Sequence, residues 1–329
     1  MQPVIDNQDQ RLAALEQWAS RELGQPVSGV PASSDASFRR YFRFRVDDRS
    51  IIGMDAPPEQ EDSRPFVEVA KLFADAGVHV PEIIACDLQQ GFMLLSDLGS
   101  RTWLQVLNEN NAGERFPRAI DALISIQLAS RPGVLPDYDE ALLRRELELF
   151  PEWYIERHLG LTISPAMHTR LAALYSLLLD NALTQPRVYV HRDYMPRNLM
   201  DSDPDPGVID FQDAVYGPVS YDPVCLFRDA FVSWPEKQVD AWLALYHERA
   251  LAAGVPVAGN FQRFLHQADL MGVQRHLKVI GIFARICHRD GKPQYLEDVP
   301  RFFTYLRQAI ARHSELAPLA AILSEIGEQ

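Results

Sequence analysis

The sequence predicts an α+β fold of two lobes, a small β-rich lobe over residues 1–97 and a larger, mainly helical lobe over 98–329. Three observations carry that expectation. SFRRYFRFRV (37–46) interleaves aromatic and basic residues at the period of a strand with one exposed face. Beyond residue 98 the pattern changes to long segments of helical periodicity. One stretch, 187–213, interrupts those helices with short β-like pieces. A chain of 329 residues is also long enough for two lobes, at roughly 100–200 residues per domain.

Taken in order, residues 8–23 read as an amphipathic helix with Leu12, Leu15 and Ala19 on one face. SFRRYFRFRV and DDRSIIGMDA form two strands of a hairpin. Pro57, Pro58 and Pro65 bracket an acidic loop, and SRPFVEVAKLFADAG reads as a helix ending at Gly77. PEIIACD and GFMLLSDLG are two strands around a Gln-Gln-Gly turn, and Asp97–Gly99 links the lobes. Helices are expected over 101–130, 139–159, 164–185, 221–232, 236–253, 260–287 and 296–325.

Composition bounds the function classes. An apolar fraction of 47% with 23% charged residues belongs to a folded protein and excludes a disordered acidic tail. The net charge of −13 argues against nucleic acid, because phosphate neutralisation needs a broad basic surface and Arg39, Arg40, Arg43 and Arg45 make only a short cluster. Cys86, Cys225 and Cys287 lack the spacing of a disulfide framework or a zinc site, which fits a reducing cytoplasm. No run of about 18 apolar residues exists and MQPVIDNQDQ has no apolar core, so neither a membrane span nor a signal peptide is expected. There are four lysines, at 71, 237, 278 and 292, and none precedes Lys71.

The chemistry sits in VYVHRDYMPRNLM (188–200) and GVIDFQD (207–213). His191-x-Asp193-x4-Asn198 lies between β pieces, and Asp210 follows an apolar run twelve residues later. Phosphoryl transfer from ATP requires such a set: one carboxylate to orient and deprotonate the attacking hydroxyl, and oxygen ligands for Mg²⁺. Asp193 suits the first role, Asn198 and Asp210 the second, since a hard cation prefers amide and carboxylate oxygen. A solvent-exposed turn rich in Asp, Asn and Pro is the bland alternative, and the joint spacing disfavours it. His191 is better read as an anchor of the loop backbone than as a proton carrier.

HRDYMPRN followed by IDFQD resembles the catalytic and metal loops of the protein-kinase-like superfamily, in its aminoglycoside/choline phosphotransferase branch. SDASFRRYFR, MDAPPEQED, ELELFPEWY and QRHLKVIGIFARICHRDGKPQYL further resemble the anomeric amino-sugar kinases of bacterial cell-wall recycling, which act on N-acetylmuramate and N-acetylglucosamine at C1. The resemblance spans nearly the whole chain. It implies a kinase-like fold, ATP and Mg²⁺ as cofactors, a small sugar as substrate, and no protein partner by name. It makes Asp193 the base and Asn198 and Asp210 the metal ligands. Ser34 and Ser37 would belong to the nucleotide-positioning loop, Ser96, Asp97 and Leu98 would face adenine, and Glu68 would occupy the helix-glutamate position. Other hydroxyl kinases, for aminoglycosides or choline, and a catalytically dead binding module are the rival readings.

The chain departs from the kinase pattern in having no lysine on the third strand, SIIGMDAP, and no G-x-G-x-x-G. Arg40 or Arg43 is expected to supply the missing cation, or else to cover the outer strand face. For the sugar, Glu146, Glu148 and Trp153 are candidates, with Glu146 and Trp153 seven apart and so on one helix face. Arg144, Arg197, Arg275 and Arg285 are candidates for a substrate carboxylate, with Arg197 and Arg275 preferred. His276 is a contact or a rim residue and Lys278 a rim residue, while Asp213 and Asp222 are expected to brace the catalytic loops.

Overall fold

Two units make up the computed structural model, which describes residues 7–32 and 38–328. One comprises Met1–Val106 with Arg197–Asp213, the other Leu107–Pro196 with Ala214–Gln329. The first unit therefore runs past residue 97 to Val106, and it takes in Arg197–Asp213, which the sequence assigned to the helical lobe.

The first unit is built on an antiparallel five-stranded sheet of order β1-β2-β3-β5-β4, with β1 Val30–Pro31, β2 Arg40–Val46, β3 Arg49–Asp55, β4 Ile83–Asp87 and β5 Phe92–Ser96. Strand alternation sorts its side chains. Phe42, Phe44 and Val46 of β2, Ile51 of β3, and Phe92 and Leu94 of β5 bury against Leu15, Trp18 and Ala19 of α1 (Asn7–Leu23). Tyr41, Arg43, Ile52 and Leu95 line a cavity. Gly53 has a steric reason: a Cβ there would meet Phe44 Cε2 at 2.3 Å. Asp55 is fully buried and accepts from Arg11 Nε of α1 at 2.7 Å and from its cross-strand partner Arg40 Nε at 3.1 Å. Helix α2, Arg64–Asp75, buries Phe66, Val69, Ala70 and Phe73.

The second unit is mainly helical, and its helices begin where side chains can cap them. Asp139 accepts from Leu142 N at 2.8 Å, Ser164 Oγ from Met167 N at 3.1 Å, and Asn260 Oδ1 from Arg263 N at 3.2 Å. They open the helices Glu140–Leu147, Pro165–Thr184 and Phe261–Asp290. Three expected helices are broken. Residues 101–130 become one turn, Trp103–Val106, and the helix Ala112–Leu128, because Asn111 Oδ1 accepts from Asn108 N at 2.8 Å and folds the intervening segment into a turn. The 139–159 segment changes from α-helix at Leu147 to a π-helix, Phe150–His158, in which Pro151 has no N–H to continue an α ladder. The 296–325 segment divides into Val299–Arg312 and Ala317–Glu325. The long Phe261–Asp290 helix packs against the α-to-π junction at Gly281, where a Cβ would lie 2.4 Å from the Leu149 carbonyl carbon. No helix among the described residues is long and apolar enough to cross a membrane.

Candidate active site

In the second unit, Arg187–Val190 pairs antiparallel with Val215–Pro218 and leads into the loop carrying Asp193. That loop is tied down at several points. The Asp222 carboxylate accepts from the backbone N–H of His191 at 2.7 Å and of Arg192 at 3.0 Å. His191 Nδ1 accepts from Asp193 N at 3.3 Å, so the histidine anchors the loop. The fully buried Tyr194 donates its hydroxyl to Ala119 O at 2.8 Å. Arg192 has φ +77°, an unfavourable conformation for a long L side chain, and it directly precedes Asp193. Asp222 is buried, which pushes its pKa up to about 7 against the pull of the two N–H donors.

Arg192 reaches a buried cluster around Glu146. One guanidinium nitrogen, Nη2, lies 2.5 Å from Glu146 Oε1, and Lys278 Nζ lies 3.0 Å from the same oxygen. Gln274 Nε2 donates to Oε2 at 3.2 Å and Tyr138 donates its hydroxyl to Oε2. Burial alone would raise the pKa of Glu146, but Lys278 and Arg192 outweigh it and the net shift is downward. Tyr221 accepts from Lys278 at 3.1 Å.

These contacts correct several expectations. Glu146 is only 5% exposed and its oxygens face four donors, so it turns inward rather than toward a sugar. It shares no face with Trp153, because the π-turn breaks the α-helical phase between them. Trp153 is half-buried with the Arg157 guanidinium over its ring, and Glu148 lines a separate cleft of about 310 Å³ with Arg144, Glu152 and His168. Partial burial raises the Glu148 pKa. Arg275 is 1% exposed and sealed from solvent. Lys278, expected at the rim, is buried, and so is His276, which stacks on Tyr305 at 5.0 Å.

The first unit carries the other half of the motif. Leu199–Met200 pairs with Gly207–Val208, and Ile209 N donates to Asn198 O at 3.1 Å. This ribbon brings residues twelve apart into contact: Asn198 Nδ2 donates to Asp210 Oδ2 at 3.2 Å, and Gln212 Nε2 to Oδ1 at 2.9 Å. Asp210 sits at φ +65°, held by the buried Phe211, whose ring packs on Phe66 at 5.0 Å and Phe73 at 5.8 Å in α2. Amide and carboxylate oxygens of this kind suit a hard cation.

Asn198 and Asp210 line a cavity of about 250 Å³ in this unit, together with Arg43, Ser96, Asp97, Leu98 and Arg197. Arg197, expected at the sugar, is thus on the cavity wall beside Asn198. Arg43 forks onto Asp97, Nε at 2.5 Å and Nη2 at 3.1 Å, and donates to Gly99 O at 2.9 Å. Arg40 is not on the wall; it is held by Asp55. Glu68 lies on the exposed side of α2, because it is roughly 200° around the helix from the cavity-lining Phe66. Ser34 and Ser37 lie outside the described residues. Sequence reasoning missed Tyr138, Gln274 and the reach of Arg192; only the Arg between His191 and Asp193 signalled any of them.

Residues 28–257 match the model of the APH phosphotransferase enzyme family. The chain belongs to that family. It is 62% identical over 301 residues to the N-acetylmuramate/N-acetylglucosamine kinase of Pseudomonas aeruginosa, covering 92% of this chain and 89% of that one. It is 56% identical over 329 residues to the enzyme of the same name from Pseudomonas putida, covering 97% of each. Among solved structures, the choline kinase LicA of Streptococcus pneumoniae aligns at TM-score 0.64 with 14% identity, over 91% of this chain and 99% of that one. The ADP-bound aminoglycoside phosphotransferase APH(2'')-Ib aligns at 0.59 with 14% identity, over 88% and 96%. Those two likenesses establish the kinase-like α+β fold.

Proposed function

We propose that this phosphotransferase uses ATP to phosphorylate N-acetylmuramate and N-acetylglucosamine on the anomeric C1 hydroxyl, as a cytoplasmic step of cell-wall recycling. What carries the reading is the presence of Asp193, Asn198 and Asp210, in motif spacing, in a chain so similar along nearly its whole length to kinases of that name. The low-identity likeness to choline and aminoglycoside kinases supports the fold and favours neither substrate. The presence of all three residues also speaks against a dead binding module.

In this reading Asp193 accepts a hydrogen bond from the C1 hydroxyl, orients it and takes its proton late. A hemiacetal hydroxyl is more acidic than a plain alcohol, so the base need not be strongly tuned. Asn198 and Asp210 would hold magnesium, which when bound would neutralise charge on the β- and γ-phosphates. Ser96–Leu98 would offer backbone groups to adenine, with Arg43 bracing that segment through Asp97.

The test is ADP release on each sugar, with phosphorus NMR of the product. A C1 phosphate is expected, and a C6 phosphate would sink the anomeric assignment. Asp193→Asn should lower turnover by about 10²–10⁴-fold with nucleotide affinity unchanged. Sugar-dependent ADP production at the wild-type rate in that variant would refute its role.

A further inference from the structure

The cluster behind the catalytic loop has an uneven charge. Glu146 is one buried carboxylate with two buried cations on one of its oxygens, Arg192 at 2.5 Å and Lys278 at 3.0 Å. Such an anion would be strongly disfavoured alone, and its remaining oxygen is satisfied by Gln274 and Tyr138. Close by, Arg275 is also buried, and its Nε and Nη1 have no hydrogen-bond partner. Further titratable groups facing Arg192 or Arg275 are Tyr221, Asp222, Cys225, Asp229 and His276.

The cluster meets the chemistry at one residue. Arg192 is held from both ends, its backbone N–H on Asp222 and its side chain on Glu146. Between those anchors its backbone sits at φ +77°, a conformation that persists only when its surroundings enforce it. Asp193 is the next residue, so rotation of the Arg192 backbone would re-aim the Asp193 carboxylate. The negative charge of Asp193 is felt by Arg192, Arg275 and Lys278 alike.

We propose that Glu146 is a positioning residue: it anchors the Arg192 side chain and thereby fixes the direction of the Asp193 carboxylate, while Lys278 holds the same carboxylate oxygen from the long helix. Glu146 thus serves the acceptor hydroxyl without touching the sugar. This rests on Asp193 being the base.

The experiment separates aiming from folding. Glu146→Gln strands two buried cations, so melting temperature should fall; kcat should fall about 100-fold with the KM for ATP unchanged. Adding Lys278→Met removes one of the two stranded charges. The double variant should recover part of the melting temperature but none of the kcat, because the ion pair that fixes the Arg192 side chain is not restored. Recovery of kcat together with stability would overturn the proposal and leave a purely structural pair. So would a wild-type kcat in Glu146→Gln. Should that variant fail to fold, Arg192→Lys, which keeps the charge and loses the guanidinium reach, should lower kcat about tenfold or more at unchanged ATP KM; a wild-type kcat there overturns the idea equally. Turnover retained in Asp193→Asn would instead indict the underlying reading, whereas an inert Asp193→Asn beside a fully active Glu146→Gln would overturn only the positioning role.

Discussion

Asp55 and Glu146 are buried carboxylates, each held by two cations, and they do different things. Asp55, in the first unit, takes Arg11 from α1 and Arg40 from the strand opposite. All three residues lie in regular elements, so the contact fastens a helix to a sheet. Glu146, in the second unit, takes Lys278 from a long helix and Arg192 from a loop with a left-handed residue. A similar charge arrangement staples in one place and aims in the other. What distinguishes them is the stiffness of the backbone that receives the contact: a paired strand needs no aiming, whereas an irregular loop has a direction to lose.

The largest effect expected from this contrast is on stability at the staple. Asp55→Ala leaves two guanidinium groups without their buried carboxylate and should cost about 3–5 kcal/mol, read as a fall in urea midpoint, while kcat of the folded protein stays at the wild-type value. A comparable loss of kcat would erase the distinction between the two clusters. Next, Arg43→Ala should raise the KM for ATP about tenfold, or about 1.4 kcal/mol, by freeing Asp97 and the segment beside it. Arg40→Ala should leave that KM unchanged, and equal effects of both would place Arg40 in the site after all. Third, Tyr138→Phe removes one donor from Glu146 and should cost about 1 kcal/mol in stability. In the aiming model kcat falls with it; unaltered kcat would mean that the remaining three donors suffice.

The smallest effect is one of pH. Burial raises the Asp222 pKa to about 7, above the ordinary value of 3.8, so the folded chain holds this proton more tightly than the unfolded one. Its contribution to stability is therefore complete at acid pH and is lost as pH rises through about 7. Asp222→Asn should flatten the decline in melting temperature between about pH 4 and about pH 7. An unchanged slope would assign the titration to another buried group.

Much of this was legible in the chain because it depended on local pattern. Helices opened at Asp139, Ser164 and Asn260 where caps were available. The strand alternation of SFRRYFRFRV separated core from cavity. The Asn198–Asp210 contact was announced by spacing, since a short ribbon converts a twelve-residue separation into a side-chain contact. What was not legible depended on depth and phase. The Glu146–Trp153 pairing assumed 3.6 residues per turn through Pro151, and the π-helix defeated it. Lys278 was expected at the rim because lysines are rarely buried, and only the tertiary fold supplies the carboxylate that makes its burial tolerable. Glu68 needed a facing lysine that the chain does not contain before residue 71.

The scarcity of lysine has a further consequence, for chemical labelling. Apart from the chain's amino terminus, the first unit contains a single primary amine, Lys71, which is exposed on α2 and paired with Asp75. Lys237, Lys278 and Lys292 belong to the second unit. An acylating group delivered on a nucleotide's phosphates would find only guanidinium side chains, Arg43 and Arg197, among the cations lining the described cavity, and these do not acylate under conditions that modify an amine. Acylating reagents that tag through lysine should therefore leave the described cavity unlabelled, and amine-reactive dyes should label Lys71 in this unit without entering it.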